Sequence, residues 1–254
     1  MQRKSNTTRM INGMAGPLAA ALAATLAIGA SAVTASATLI DVNYEGGATN
    51  TMTGAAILGS SGDTWNNILN LPANPTALNQ VNGSSSGISV SINGTVSGAY
   101  SHSTPDNPNP DALMVGYIYS SVSTGLSITL SGLAPNSGFQ LVVYGAGNDS
   151  GQGDIFNYSG ATGSWANGIS TTTGTSRDIT VAGADGINYV VFNGSTSADS
   201  FTITATANTS ALSTNSYTVI NGFQLETAVP EPAALALYGS GGLALLLVGR
   251  RRRT

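Results

Sequence analysis

Phe201-Thr202-Ile203-Thr204-Ala205-Thr206 alternates apolar side chains with threonines, so an extended chain puts the apolar set on one face and the hydroxyls on the other. Short runs of this kind recur through the middle of the 254-residue chain, bounded by Gly, Asn, Asp, Pro and Ser. No helical period persists over about ten residues. Expected strands are 38–44, 87–92, 126–131, 139–144, 178–181, 188–193, 200–206 and 217–226. Their spacing points to an all-β fold, an antiparallel β-sandwich of jelly-roll type. A parallel β-solenoid is the rival for a chain so rich in Gly, Ser, Thr and Asn, and the lack of a fixed period of about 20–30 residues counts against it.

Within that frame Leu141-Val142-Val143-Tyr144 is continuous and apolar, as in a central strand covered on both faces. Residues 131–138 form a polar loop with a mid-loop Pro135 between two strands. Asn-Gly pairs at Asn82, Asn93, Asn167, Asn193 and Asn221 mark turns. At Asn93 a two-residue hairpin leaves Val96 on the wrong face, so a bulge or longer loop is expected there. One helix is expected, over 63–71, with Asp63 as N-cap and a stop before Pro72.

Charge is nearly confined to the ends. Of eight Lys and Arg, Arg3, Lys4 and Arg9 lie at one end and Arg250, Arg251, Arg252 and Arg253 at the other, leaving Arg177 as the single cation between. Eleven of the twelve acids lie in that middle, for a net charge of about −10. Such a surface cannot neutralise phosphates, which excludes nucleic acid as a partner. The chain has no Cys, one His (His102) and one Lys (Lys4). Thiol chemistry, a multi-histidine zinc site and an internal Schiff base are therefore excluded.

The ends read as addresses. Residues 1–37 have a basic start, an apolar run over 17–30 and Ala35-Ser36-Ala37 as a small-residue cleavage pattern, the marks of a secretory signal peptide handled by the Sec translocon. At the other end Pro230-Glu231-Pro232 precedes an uncharged apolar segment, 233–249, and then Arg250–Arg253. As a transmembrane helix that segment is about 25 Å long, enough to cross a bilayer core. The arginines would hold its end in the cytoplasm, leaving the 38–228 domain outside the inner membrane.

This order over 229–254, paired with a signal peptide, resembles the PEP-CTERM sorting signal of Gram-negative bacteria. The resemblance implies an exosortase partner (a membrane cysteine protease or transpeptidase) and cleavage near Pro230-Glu231-Pro232. It also implies delivery to the cell surface or the biofilm matrix of an exopolysaccharide-producing cell. Residues 130–148 (LSGLAPNSGFQLVVYGAGN) and 220–226 (INGFQLE) are similar in style to secreted jelly rolls of the galactose-binding-like and carbohydrate-binding-module type. That likeness implies a non-enzymatic, carbohydrate- or exopolysaccharide-associated module. A ligand-free structural matrix protein and a polysaccharide-active enzyme are the alternatives.

Candidate residues follow. Trp65, with Asn66 beside it, and Trp165 are the two tryptophans; exposed aromatics stack on sugar rings, whereas the plain reading is core packing. Asp106, Asn109 and Asp111 in one loop, and Asn148, Asp149 and Asp154 in another, offer oxygens for a structural calcium. Neither loop has the EF-hand pattern, and Asp and Asn also simply favour turns. No cofactor is otherwise expected. Gly83-Ser84-Ser85-Ser86-Gly87 matches the nucleophile-elbow pattern but runs into a strand, the reverse of the context an elbow needs, and reads as a turn. Carboxylate pairs such as Asp41 with Glu45 are too many and too unspecific to name a glycosidase, so no catalytic residue is assigned.

Overall fold

A strand with one apolar face must bury that face against another element, and two sheets packed together satisfy many strands at once. The structure, a computed structural model, describes residues 37–47, 51–69, 74–101, 112–121, 125–147, 152–175, 185–210 and 217–227. All of them fall within one compact unit, Ser36–Val229.

The strands are β1 (Thr38–Tyr44), β2 (Asn66–Ile68), β3 (Thr76–Asn79), β4 (Ser85–Asn93), β5 (Gly98–Ser101), β6 (Gly116–Ser121) and β7 (Leu126–Ser131). They continue with β8 (Gly138–Tyr144), β9 (Asp154–Ser159), β10 (Ala161–Trp165), β11 (Tyr189–Thr196), β12 (Ser200–Ala207), β13 (Tyr217–Ile220) and β14 (Gly222–Thr227). One helical turn, α1 (Ala112–Val115), precedes β6. Three sheets result, with strand orders β10-β11-β8-β14-β1-β2, β3-β4-β7-β12-β9 and β13-β6-β5. Every strand pairing is antiparallel except β1 with β2, so the fold is all-β and sandwich-like.

The core lies between the six- and five-stranded sheets. Ile40 and Val42, Leu141 and Val143, Phe192, and Phe223 and Leu225 meet Val90, Ile128 and Leu130, Phe156, and Phe201 and Ile203 in one buried cluster. Phe139 on β8 stacks on Phe201 on β12, ring centroids 4.4 Å apart, which fixes one sheet against the other. The chain crosses between these sheets through the Pro135 loop, from β7 to β8, and again from β9 to β10 and from β11 to β12. Leu141 to Tyr144 are fully buried between β11 and β14, as expected of a central strand.

Along β12 buried and half-buried residues alternate, and the threonines face outward. Register brings them level with the hydroxyls of neighbouring strands. Thr129 Oγ1 lies 2.8 Å from Thr202 Oγ1, Ser127 Oγ is 3.1 Å from Thr204 Oγ1, and Asn93 Nδ2 donates to Thr129 Oγ1 at 3.0 Å. Strands β4, β7 and β12 thus carry an outer surface of Ser, Thr and Asn with no charged residue.

The outer face of the six-stranded sheet is half covered. Residues 51–65 and α1 lie over it, and Met52, Trp65, Leu113 and Met114 pack on Val142 and Tyr144 as a second cluster. Gln224 fastens this cover. Its Oε1 accepts from the amides of Ile57 (3.0 Å) and Leu58 (2.9 Å) and from Tyr144 Oη (2.6 Å), and its Nε2 donates to Leu58 O and Asp41 Oδ1, both at 3.0 Å.

Three expectations need correction. The helix over 63–71 does not form in the described part of that stretch. Asn66–Ile68 pairs in parallel with Val42–Tyr44, because the side of β1 away from β14 offers it ladder hydrogen bonds. Asp63 accepts from Ser60 N (2.6 Å) and Ser60 Oγ (2.8 Å) and closes a turn behind it, so it caps no helix ahead. The run 217–226 is two strands in two sheets. Asn221 divides them, its Oδ1 accepting from Ala146 N (2.8 Å) and its Nδ2 donating to Gly116 O (3.0 Å). Asn193-Gly194, expected to mark a turn, instead lies inside β11, where Asn193 pairs with Gln140, whereas at Asn93 a longer loop does follow β4 and leads into another sheet. The expected strand 178–181, Arg177, most of the signal peptide (1–36) and the segment 229–254 lie outside the described residues. Among the described residues no helix is long and apolar enough to cross a membrane.

Candidate functional site

The two tryptophans are placed by their size. Trp65 is 8% exposed, packs in the second cluster and donates its indole Nε1–H to Gly54 O at 2.8 Å, so it has no ring face left for a sugar. Asn66 clamps chain to chain: its Nδ2 donates to Asp41 O (2.9 Å) and Asn79 O (2.8 Å), and its Oδ1 accepts from Asn79 N (2.8 Å). Trp165 is half-buried against Phe156, Tyr158 and Phe192, with ring centroids 5.1–6.3 Å away. The structure therefore uses Trp65 and Asn66 for packing and leaves Trp165 only partly open.

The calcium candidates divide. Asp106, Asn109, Asp111, Asn148 and Asp149 lie outside the described residues, as does His102. Asp154 is fully buried, and both carboxylate oxygens accept from Val219 N, at 3.2 and 3.3 Å. Burial pushes its carboxyl well above the usual range against the lowering effect of that bond. Among the described residues no three His, Cys, Asp or Glu side chains gather as a metal site would require. Asp41 is fully buried and Glu45 is 4% exposed, both without an open approach for a substrate. The stretch 83–87 turns the chain from β3 into β4: Asn82 Oδ1 accepts from Ser84 N (2.9 Å) and Oγ (2.6 Å), and Ser86 Oγ donates to Leu78 O (2.6 Å).

Among the described residues, the three-stranded sheet carries a run of tyrosine rings that reaches the surface at both ends. Ala99, Ile118 and Ile220 face the core from its three strands, so the residues between them face away. Those residues include Tyr100, Tyr117, Tyr119 and Tyr217. Tyr100 and Tyr117 are directly paired, with ring centroids 5.4 Å apart; Tyr117 to Tyr119 is 6.3 Å, and Tyr119 to Tyr217 is 5.5 Å. Four rings in series thus run across the sheet. The inner two are more covered, and Tyr100 and Tyr217 are each 41% exposed. Gly98, paired with Tyr119, leaves room for that ring: a Cβ there would sit 2.9–3.1 Å from its Oη, Cε1 and Cζ. Of the strip, only Tyr117-x-Tyr119 shows a strand signature in sequence; Tyr100 and Tyr217 join it through pairing across sequence-distant strands.

No family model matches the chain, and no curated protein matches it.

Proposed function

We propose that this chain is an exported cell-surface or biofilm-matrix protein, sorted through a PEP-CTERM signal by an exosortase. Its β domain is in this reading a jelly-roll-type, non-catalytic module that associates with exopolysaccharide. The observation that carries the reading is the tyrosine strip Tyr100–Tyr117–Tyr119–Tyr217, whose two ends are exposed. Aromatic faces stack on the C–H faces of sugar rings without any charge on the polymer. The uncharged Ser/Thr/Asn surface of β4, β7 and β12 supports it, since hydroxyls exchange hydrogen bonds with a hydrated polysaccharide and are indifferent to salt. A buried Trp65 and a half-buried Trp165 favour the second reading, a matrix protein without a ligand.

A glycan array probed with the full chain in mild detergent separates the two. Selective binding is expected, with Tyr100→Ala and Tyr217→Ala each weakening it roughly three- to tenfold and leaving the melting temperature nearly unchanged. Binding that is absent, or that survives both substitutions, leaves the structural reading. The sorting claim has its own check: peptide mass spectrometry of the protein recovered from the matrix is expected to lack residues 233–254. Replacing Arg250–Arg253 by serine is expected to leave that segment attached and the protein in the membrane fraction.

A further inference from the structure

Beyond the tyrosine strip, an open cleft of about 590 Å³ lies at the end of the six-stranded sheet, where β1 and β8 begin and β14 ends. Its floor is made by backbone. Gly163 on β10 is directly paired with Gly194 on β11, and a Cβ on Gly194 would collide with the Phe192 ring, so the two strands meet there without side chains. Across this hollow one polar row is set by register. Gln140 on β8 is paired with Asn193 on one side and Glu226 on the other, and all three line the cleft.

Gln140 Nε2 donates to Asn193 Oδ1 at 2.9 Å. That bond consumes one donor and one acceptor lone pair and orients both amides, leaving Gln140 Oε1 to accept and Asn193 Nδ2 to donate. Glu226 adds a carboxylate with two acceptor oxygens. Acceptor, donor and paired acceptor in one row match neighbouring hydroxyls on a sugar ring, each of which both donates and accepts. A cation would want more carboxylates than the single one lining this cleft, and an anion would be repelled by Glu226.

We propose that the Gln140–Asn193–Glu226 cleft is a binding site for one neutral sugar unit bearing a vicinal diol. The assignment rests on the carbohydrate reading for its ligand class but uses none of the tyrosines. The two sites accordingly divide the work: the strip holds a polymer by stacking, and the cleft reads hydroxyl positions on a single ring.

Saturation-transfer NMR on the full chain tests it, with the methyl glycosides of glucose, galactose, mannose and xylose as probes. At least one is expected to receive saturation, with binding reduced tenfold or more by Glu226→Ala and by Asn193→Ala. Ser195→Tyr, which fills the cleft while keeping the carboxylate and both amides, is expected to abolish it. Tyr217→Ala is expected to leave it intact. No transfer to any of the four, or transfer that survives both Glu226→Ala and Ser195→Tyr, overturns the cleft. Polymer binding lost in Tyr217→Ala but untouched by the cleft variants would retain the strip and remove only this site.

Discussion

Unfolding measured from pH 4 to pH 8 is expected to show a protein that loses stability as pH rises toward 7, and Asp41→Asn is expected to make that loss measurably shallower. Asp41 is fully buried beneath the cover formed by residues 51–65. Its Oδ1 accepts a single hydrogen bond, 3.0 Å from Gln224 Nε2, and its Oδ2 has no partner among the described residues. Burial raises the carboxyl from 3.8 to about 7; the Gln224 bond opposes this, and the nearby Asp63 carboxylate adds to it. Between those two values the native state keeps a proton that the unfolded chain has released. Folding is therefore favoured on the acid side, and the Asp41 contribution declines from about pH 4 until the native carboxyl ionises near 7, where that contribution levels off. At about 1.4 kcal/mol per pH unit the Asp41 share is at most about 4 kcal/mol. Asp154, raised by burial in the same sense, contributes a slope of its own that the variant keeps. The change is local enough to trace. Ile57 and Leu58 donate their amides to the same Gln224 that holds Asp41, so their protection against hydrogen exchange, corrected for the intrinsic pH dependence, should fall above pH 7 in the parent and not in Asp41→Asn. A flat stability curve in the parent, or an equal slope in both proteins, would sink the account.

The strands that the sequence announced share one property: apolar and polar residues alternate between turn residues, and the partner strand needs no special chemistry. Thr38–Tyr44 and Leu126–Ser131 appear with the expected bounds for this reason, and Ser200–Ala207 extends the expected strand by one residue. What misled was the segment after Asp63. Asp63 followed by Trp65, Ile68 and Leu69 has helical spacing, yet the spacing is silent about the open side of β1 that captures Asn66–Ile68. At Asn221 the Asn-Gly pair marks a turn, yet local sequence cannot show that it is a change of sheet, made by one side chain whose two partners, Ala146 and Gly116, lie about 75 and 105 residues away. The sites were hidden in the same way. Size drew attention to Trp65 and Trp165, and size is also what buries a ring. Tyr100, Tyr119 and Tyr217, like Gln140, Asn193 and Glu226, become neighbours only when register is known; a one-residue slip in any pairing would turn them to opposite faces.

Gly46→Ala is expected to be the most damaging Gly→Ala substitution among the described glycines and to act on the tyrosine strip without touching a tyrosine. Gly46 follows β1 at φ +66°, in the left-handed region where a side chain costs about 1 kcal/mol. A Cβ there would also overlap the backbone carbonyl of Tyr100 and approach Tyr117 N, and backbone of a paired strand cannot swing aside as a side-chain tip can. Gly116 mirrors the contact: a Cβ on it would strike the carbonyls of Tyr44 and Glu45. The end of β1 and the β5–β6 pair therefore meet as bare backbone, and this contact seats the three-stranded sheet. A loss of about 3 kcal/mol or more is expected, which for a domain of this size lowers the melting temperature by roughly 10 °C. Near-ultraviolet circular dichroism should lose its tyrosine contribution before the core signal. Hydrogen exchange should quicken in β5 and β6 ahead of β8 and β14, whose pairing lies elsewhere. Gly62→Ala is the control, since a Cβ on Gly62 meets nothing within 4 Å, and it should change stability by less than about 1 kcal/mol. If Gly46→Ala matched that control, the small sheet would not be seated through Gly46, and the strip's geometry would need another support.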